Sequence, residues 1–492
     1  MDVLTPRLVI AAAQSGSGKT TVATGLMVAL TRRGLKVQPY KVGPDYIDPT
    51  YHTAATGRPS RNLDSWMFDG DGLRRLFTRS AAGADLALIE GVMGLFDGAG
   101  PTGEDGSTAQ VAAWLSAPVL LVVDARGMAG TAAAIVRGLA EFDPRVRVVG
   151  VIFNNVGSQH HYRLLAEAVK SRVAGVEPVG YLPKEAAIRL PERHLGLVPS
   201  YEKTAVESYL DSLAEVVGRT VDFAAVLRLA RENSRPLPPP VPGGGDDAPA
   251  AGRPPAEKVR IGLARDAAFN FYYEDGLDYL RGLGAELVEF SPLRDRYLPP
   301  GLDALYLGGG FPEVYREQLA ANVALRGELA AAIAGGLPTY AECGGLMFLT
   351  QAIVDEDGAA WPMVGAIPVR ARMTRRLASL GYATAVAREG SLLAAPGETV
   401  RGHEFHWSVV DQRPQGWPPA YEATTRRGGP HPDGFVRGNL LATYVHLHFA
   451  ANPTAAARFV EAARAFRRRG ETRATGGGAR PEEAAGGGAT RP

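Results

Sequence analysis

Cysteine is almost missing from this 492-residue chain; Cys343 is the only one. One thiol cannot build an intramolecular disulfide framework, and its scarcity suits a reducing compartment, so a cytoplasmic location is expected. An excess of charge is missing too. The 53 Lys and Arg against 52 Asp and Glu give a formal net charge of +1, which offers no electrostatic handle to nucleic acid or to an acidic membrane surface. No apolar run approaches the ~18 residues of a membrane-spanning helix. The first residues carry neither a basic segment nor a small-residue cleavage site, so no signal peptide is predicted.

What is present describes globular domains. Hydrophobic residues make up 46% and charged residues 21%, with 59 glycines, a composition of turn-rich α/β proteins, and the length predicts two or three domains. The first half is organised around residues 8–21, Leu-Val-Ile-Ala-Ala-Ala-Gln-Ser-Gly-Ser-Gly-Lys-Thr-Thr. An apolar strand, Leu8–Ala12, runs into a small-residue loop, and Lys19 opens a helical pattern. This is a P-loop context, in which backbone N–H groups and the helix N-terminus cradle phosphate. Gly16, Gly18, Lys19, Thr20 and Thr21 are the nucleotide-binding candidates, Lys19 for the outer phosphates and Thr20 for Mg²⁺. Ala13 stands where the pattern has its first glycine.

A second strand, Lys36–Val42, enters Gly43-Pro-Asp-Tyr-Ile-Asp-Pro49. Asp45 and Asp48 at this strand end are candidates for Mg²⁺, with Asx turns beside the prolines as the other account of the same residues. The strand Ala84–Glu90 ends in an acid and a glycine loop, the position at which P-loop proteins place a second metal-binding carboxylate. Further strands are predicted over 117–125, 146–155 and 179–183, with helices over 108–115, 130–142 and 203–218. Asn154 and Asn155, at a strand end, are candidates for reading a nucleotide base. Strands alternating with helices over ~220 residues predict a doubly wound parallel sheet. Residues 235–257, rich in Pro and Gly, read as a linker, and 471–492 as a disordered tail. The expected domains are thus 1–234 and 258–470.

In the second domain, the strand Ala304–Leu307 ends in Gly308-Gly309-Gly310, and Pro338–Glu342 leads into Cys343-Gly344-Gly345. A cysteine between strand and helix, followed by glycines, is a nucleophile elbow; the helix N-terminus is expected to lower its thiol pKa. Gly344 N–H with one from Gly309 or Gly310 would form an oxyanion hole. A buried structural cysteine is the alternative. Leu441–Phe449 supplies His446 as the better base and His448 as the weaker one, and Arg401–Ser408 is placed near the site without a role.

Together these stretches resemble known families. Residues 13–21, 41–49, 88–98 and 154–155 resemble ATP-dependent amide-forming synthetases related to dethiobiotin synthetase. Residues 340–346, 401–408 and 444–449 resemble a class I glutamine amidotransferase domain of flavodoxin-like α/β fold. The pair in this order is similar to the cobyrinic acid a,c-diamide synthase family of cobalamin biosynthesis. The resemblance implies ATP and Mg²⁺, L-glutamine, a corrinoid substrate activated as an acyl phosphate, and a homodimer. Cys343 and His446 would release ammonia, while Lys19, Thr20, Asp45, Asp48 and Glu90 would handle phosphate and metal. Hydrogenobyrinic acid and nickel-sirohydrochlorin stay open as substrates. A P-loop regulatory ATPase with an inactive second domain is the reading from another class. Tyr46 and Leu95 fall near the expected phosphate-transfer site. Amidotransferases of this type usually carry an acid two residues after the histidine; His448 stands there, as in the subfamily resembled. Glu404 is the expected substitute for orienting His446.

Overall fold

The computed structural model describes residues 5–100, 104–188, 203–237, 257–426 and 428–476. The first domain is built on seven strands: β1 (Arg7–Ala12), β2 (Val37–Val42), β3 (Arg61–Leu63), β4 (Leu86–Glu90), β5 (Val119–Asp124), β6 (Val148–Val156) and β7 (Glu177–Pro183). They pair in parallel, in the order β3-β2-β4-β1-β5-β6-β7. Strands β1, β2 and β4 are buried along their whole length, as expected of a sheet covered by helices on both faces. Their carboxyl ends lie side by side and bring together the P-loop, the 43–49 loop and Glu90, which is where ligands bind in open α/β sheets. Helix α1 (Lys19–Arg32) leaves β1 through the P-loop.

Three helices of this domain escaped the sequence reading, Asp48–Thr56, Gln159–Arg172 and Phe223–Asn233, although the caps of the last two are visible in it. Ser158 accepts from the His161 N–H at the start of Gln159–Arg172, and Asp222 accepts from the Ala225 N–H at the start of Phe223–Asn233. Both are good N-cap residues.

The second domain carries a six-stranded sheet in the order Ala285–Phe290, Val259–Ala264, Ala304–Leu307, Thr339–Glu342, Leu440–Thr443, Phe435–Arg437. The first five are parallel and the last is antiparallel. The domain also carries a five-stranded antiparallel sheet, of which the sequence reading singled out only the Arg401–Ser408 stretch. Its last pairing sets Thr399–His406 against His446–Leu447, with His403 opposite His446. Gly402 allows that approach, because a Cβ there would lie 2.1 Å from the His446 carbonyl oxygen. The final helix, Pro453–Gly476, continues past the boundary expected at 470. Most of the linker, 238–256, and the tail from 477 lie outside the described residues.

The domains are joined by specific polar contacts. Arg61 Nη1 donates to the fully buried Asp275 carboxylate at 2.6 Å, and Arg61 Nη2 lies 2.8 Å from Asp278. Tyr382 donates to Asp64 at 3.0 Å and stacks on Trp66 with centroids 4.6 Å apart. Among the described residues no helix is long and apolar enough to cross a membrane.

Candidate active sites

The P-loop explains its own departure from pattern. Positive φ falls on Gly16 (77°) and Gly18 (91°) and not on Ala13, so alanine is tolerated where no left-handed backbone is required. Gly18 is further constrained, since a Cβ would lie 2.1 Å from Asn154 Nδ2. That amide donates to the Ser17 carbonyl at 3.0 Å and braces the loop, while Asn155 donates to Asp124 at 3.0 Å. Both side-chain amides expected to read a base are therefore engaged within the protein. Lys19 folds back, its Nζ donating to the Gln14 carbonyl at 3.1 Å. Burial and then the Lys41 charge lower its pKa.

The four metal candidates converge, and at their centre is a residue the sequence reading passed over. Lys41 Nζ lies 2.5 Å from Asp48, 2.8 Å from Glu90 and 3.7 Å from Asp45. Thr20 Oγ1 donates to Glu90 at 2.6 Å and lies 3.2 Å from Asp48. His52 Nε2 meets the other Glu90 oxygen at 2.6 Å. Burial alone would favour a neutral Lys41, but the Glu90, Asp48 and Asp45 charges raise its pKa above the ordinary lysine value. Burial likewise opposes ionisation of Glu90, yet Lys41 and His52 hold it below the usual carboxylate range. Burial and the Glu90 charge push Asp48 well above that range. Among the described residues no group of three or more His, Cys, Asp and Glu side chains forms a metal centre by itself. The oxygen-only set of Thr20, Asp48 and Glu90 nevertheless fits Mg²⁺, which keeps waters and takes one or two carboxylates together with substrate phosphates.

The elbow is real. Cys343 has φ 45° and ψ −99° between the Thr339–Glu342 strand and the Gly344–Leu349 helix, a strained conformation for a residue with a Cβ. Gly344 and Gly345 are required by close approach, since added Cβ atoms would lie 3.0 Å from Gly310 N and 2.2 Å from the Leu307 carbonyl oxygen. The turn thus sets the Gly344 amide beside the Gly309–Gly310 segment. The expected thiol activation is corrected. Burial, reinforced by Glu313, pushes the Cys343 pKa up, and the Gly344 N–H does not offset it. Sγ faces the Phe405 carbonyl at 3.7 Å rather than His446. Glu404 is corrected as well: it accepts from Ser379 at 2.5 Å and from His431 at 3.0 Å. It follows His403 along an extended strand, so it points to the other face.

His446 is buried among aromatic rings from both domains. Its ring centroid is 4.9 Å from that of His403 and 5.4 Å from that of Tyr46, which is carried on the 43–49 loop of the first domain. Tyr46 also stacks on Phe271 at 4.8 Å. A cavity of about 730 Å³ opens beside this cluster, lined by Asp45, Asp97, Tyr46 and Met93 from the first domain and by His403 and Phe405 from the second. The cavity thus runs from the 43–49 loop to the strand that carries His403 and Phe405.

Residues 8–198 match a CobQ/CobB/MinD/ParA nucleotide binding domain, and residues 260–454 match a CobB/CobQ-like glutamine amidotransferase domain. The chain is 44% identical over 462 residues to a cobyrinate a,c-diamide synthase of Priestia megaterium, covering 94% of this chain and 98% of the relative. It is 46% identical to one of Syntrophotalea carbinolica, covering 93% and 98%. The chain belongs to the cobyrinate a,c-diamide synthase family. A hydrogenobyrinate a,c-diamide synthase of Streptomyces coelicolor is also 46% identical, again covering 93% and 98%. In this member of the diamide synthase family, Lys41, His52 and His403 stand against the candidate site residues, and sequence reasoning left them without a role. Lys41 had a visible signal, as a cation two residues before the Gly43–Pro49 turn that carries two acids.

Proposed function

We propose that this chain uses ATP and glutamine to amidate the a and c acetate carboxylates of cobyrinic acid in cobalamin biosynthesis. The observation that carries the reading is the single cavity bordered by Asp45 at the P-loop site and by His403 and Phe405 at the cysteine site. Its aromatic and aliphatic lining suits a macrocycle, with Arg426 on its wall for a carboxylate.

When bound, ATP with Mg²⁺ supplies the phosphoryl group that activates the carboxylate and the cation that offsets its charge. Lys19 would leave the Gln14 carbonyl for the outer phosphates, and the Gly16, Gly18 and Thr21 amides would line them. Thr20, Asp48 and Glu90 would hold Mg²⁺, with Asp45 nearby and Lys41 neutralising the carboxylates. In the second domain Cys343 would attack the glutamine amide carbon. Its proton would pass through His446 to the departing ammonia, and Gly344 with Gly309 or Gly310 would stabilise the oxyanion. His446 would then activate the water that cleaves the thioester. Ammonia would cross between the domains, shielded from water by the bound macrocycle, and displace phosphate from the acyl phosphate, forming the amide.

The equal identity of the Streptomyces relative supports hydrogenobyrinic acid as a second reading of the substrate. The test is a coupled assay with ATP, Mg²⁺, glutamine and each macrocycle, products being resolved by mass. Two amidations of cobyrinic acid, with Cys343→Ala active only on ammonium salt, are expected. Turnover of hydrogenobyrinic acid alone would select the second reading, and turnover of neither would overturn both.

A further inference from the structure

The acid that usually stands two residues after the amidotransferase histidine is replaced here by His448, and nothing about His448 suits the task. It is fully buried, its ring stacks on Tyr273 at 4.5 Å, and Phe68 meets it edge-on at 4.9 Å. Both ring nitrogens lack a hydrogen-bond partner, and burial pushes its pKa down to about 3. A neutral imidazole cannot stabilise an imidazolium as a carboxylate does.

Another carboxylate is in place. Glu342 Oε2 lies 3.8 Å from His446 Nδ1, with both side chains 1% exposed. That nitrogen is buried without a hydrogen-bond partner. Glu342 is fixed from three sides: Tyr340 donates at 2.5 Å, Tyr306 at 3.1 Å and the Leu447 N–H at 2.9 Å. Leu447 follows His446 directly, so the carboxylate is anchored to the backbone that carries the base. A shift of about 1 Å brings the pair to hydrogen-bond length. With Nδ1–H turned to Glu342, Nε2 is left for the thiol.

We propose that Glu342, the residue immediately before the nucleophile, is the positioning residue for His446 and replaces the absent acid at 448. The assignment rests on the glutaminase reading of Cys343 and His446. In the step it supports, the thiol proton moves from Sγ to Nε2, and the imidazolium so formed donates from Nδ1 to the Glu342 carboxylate. No proton reaches Glu342.

The groups around the pair define what its pH dependence reports. Burial raises Glu342 to about 7. Tyr340, Tyr306 and Tyr46 are held above the ordinary phenol range, His403 is pushed down to about 3, and His406 is lowered, in each case mainly by burial. Near Cys343 lie Glu313, which burial also raises to about 7, and Asp433, which is bound to Thr443 and the Tyr444 N–H. Burial thus brings both Glu342 and Glu313 to about 7, and of these two it is Glu342 that faces His446.

The test compares wild type, Glu342→Gln, Glu342→Asp and Cys343→Ala for amidation supported by glutamine and by ammonium salt, from pH 5.5 to 8.5. Glu342→Gln is expected to lower kcat on glutamine by about 10²-fold or more, with KM for glutamine and the ammonium-supported rate unchanged. The rise of the wild-type rate through pH 7 should flatten in this variant, and Glu342→Asp should regain part of kcat. A glutamine rate within about twofold of wild type, an unchanged pH profile, or equal loss with ammonium would overturn the Glu342 assignment alone. Glutamine-supported activity in Cys343→Ala would overturn the glutaminase reading and the assignment with it.

Discussion

The ring of Tyr46, carried on the loop that also holds Asp45 and Asp48, lies 5.4 Å from the ring of His446 in the other domain. The loop that gathers carboxylates at the P-loop thus also walls the cysteine site, and the two reactions share a residue-sized boundary. Tyr46→Ala opens that wall into the cavity. Glutamine hydrolysed per amide formed should rise several-fold, roughly the loss expected when an enclosed site is opened to water. Paired measurements of glutamate and amide would show it, and an unchanged ratio would deny Tyr46 this part.

Lys19→Ala removes the cation at the mouth of α1 without touching the second domain. Amidation supported by either nitrogen source should fall by about 10²-fold or more, while the protein's unfolding temperature stays near wild type. Comparable loss from glutamine hydrolysis measured without ATP would contradict the division between the sites.

Cys343 is a buried thiol whose pKa lies above its ordinary value. In the free enzyme the thiolate is therefore a minor species at neutral pH. Alkylation by iodoacetamide should accelerate by about tenfold for each pH unit between 7 and 9 without reaching a plateau. A plateau below pH 8 would mean that the resting site already activates its nucleophile.

Arg61 is the main counterion of Asp275, a carboxylate that burial pushes above its ordinary pKa while Arg61 and Arg79 pull it back. Arg61→Ala leaves a buried charge without that partner, at a cost of about 3–5 kcal/mol. The sign of the pH dependence follows. An acid whose folded pKa is raised loses stability as pH increases, because the unfolded chain gives up its proton first. The raise is greater in the variant, so its deficit in unfolding temperature should widen from pH 5 to pH 8. A deficit independent of pH would place the loss in packing instead.

Much of the site was legible because its chemistry sits at strand ends. The P-loop, Asp45, Asp48 and Glu90 each follow a short apolar run, and Cys343 stands between a strand and two glycines. Spatial partnership was not legible. Glu342 reads as the last residue of a buried strand, and its approach to His446 comes from the parallel pairing of Thr339–Glu342 with Leu440–Thr443, about a hundred residues away. Glu404 looked the better candidate because it lies in a polar stretch, yet strand alternation turns it away from His446. The thiol pKa was misjudged for a similar reason: a helix N-terminus can be read from sequence, but complete burial cannot.

The rings that meet across the domain boundary also bear on how the molecule can be divided. Tyr46 covers Phe271, Phe68 covers His448, and Arg61 neutralises Asp275. Cutting the chain between residues 238 and 256 would give a glutaminase fragment with an adhesive aromatic face and an orphaned acid. The second domain is thus no portable ammonia generator to be grafted onto another synthetase. Soluble halves call for co-expression, with each serving as the other's chaperone.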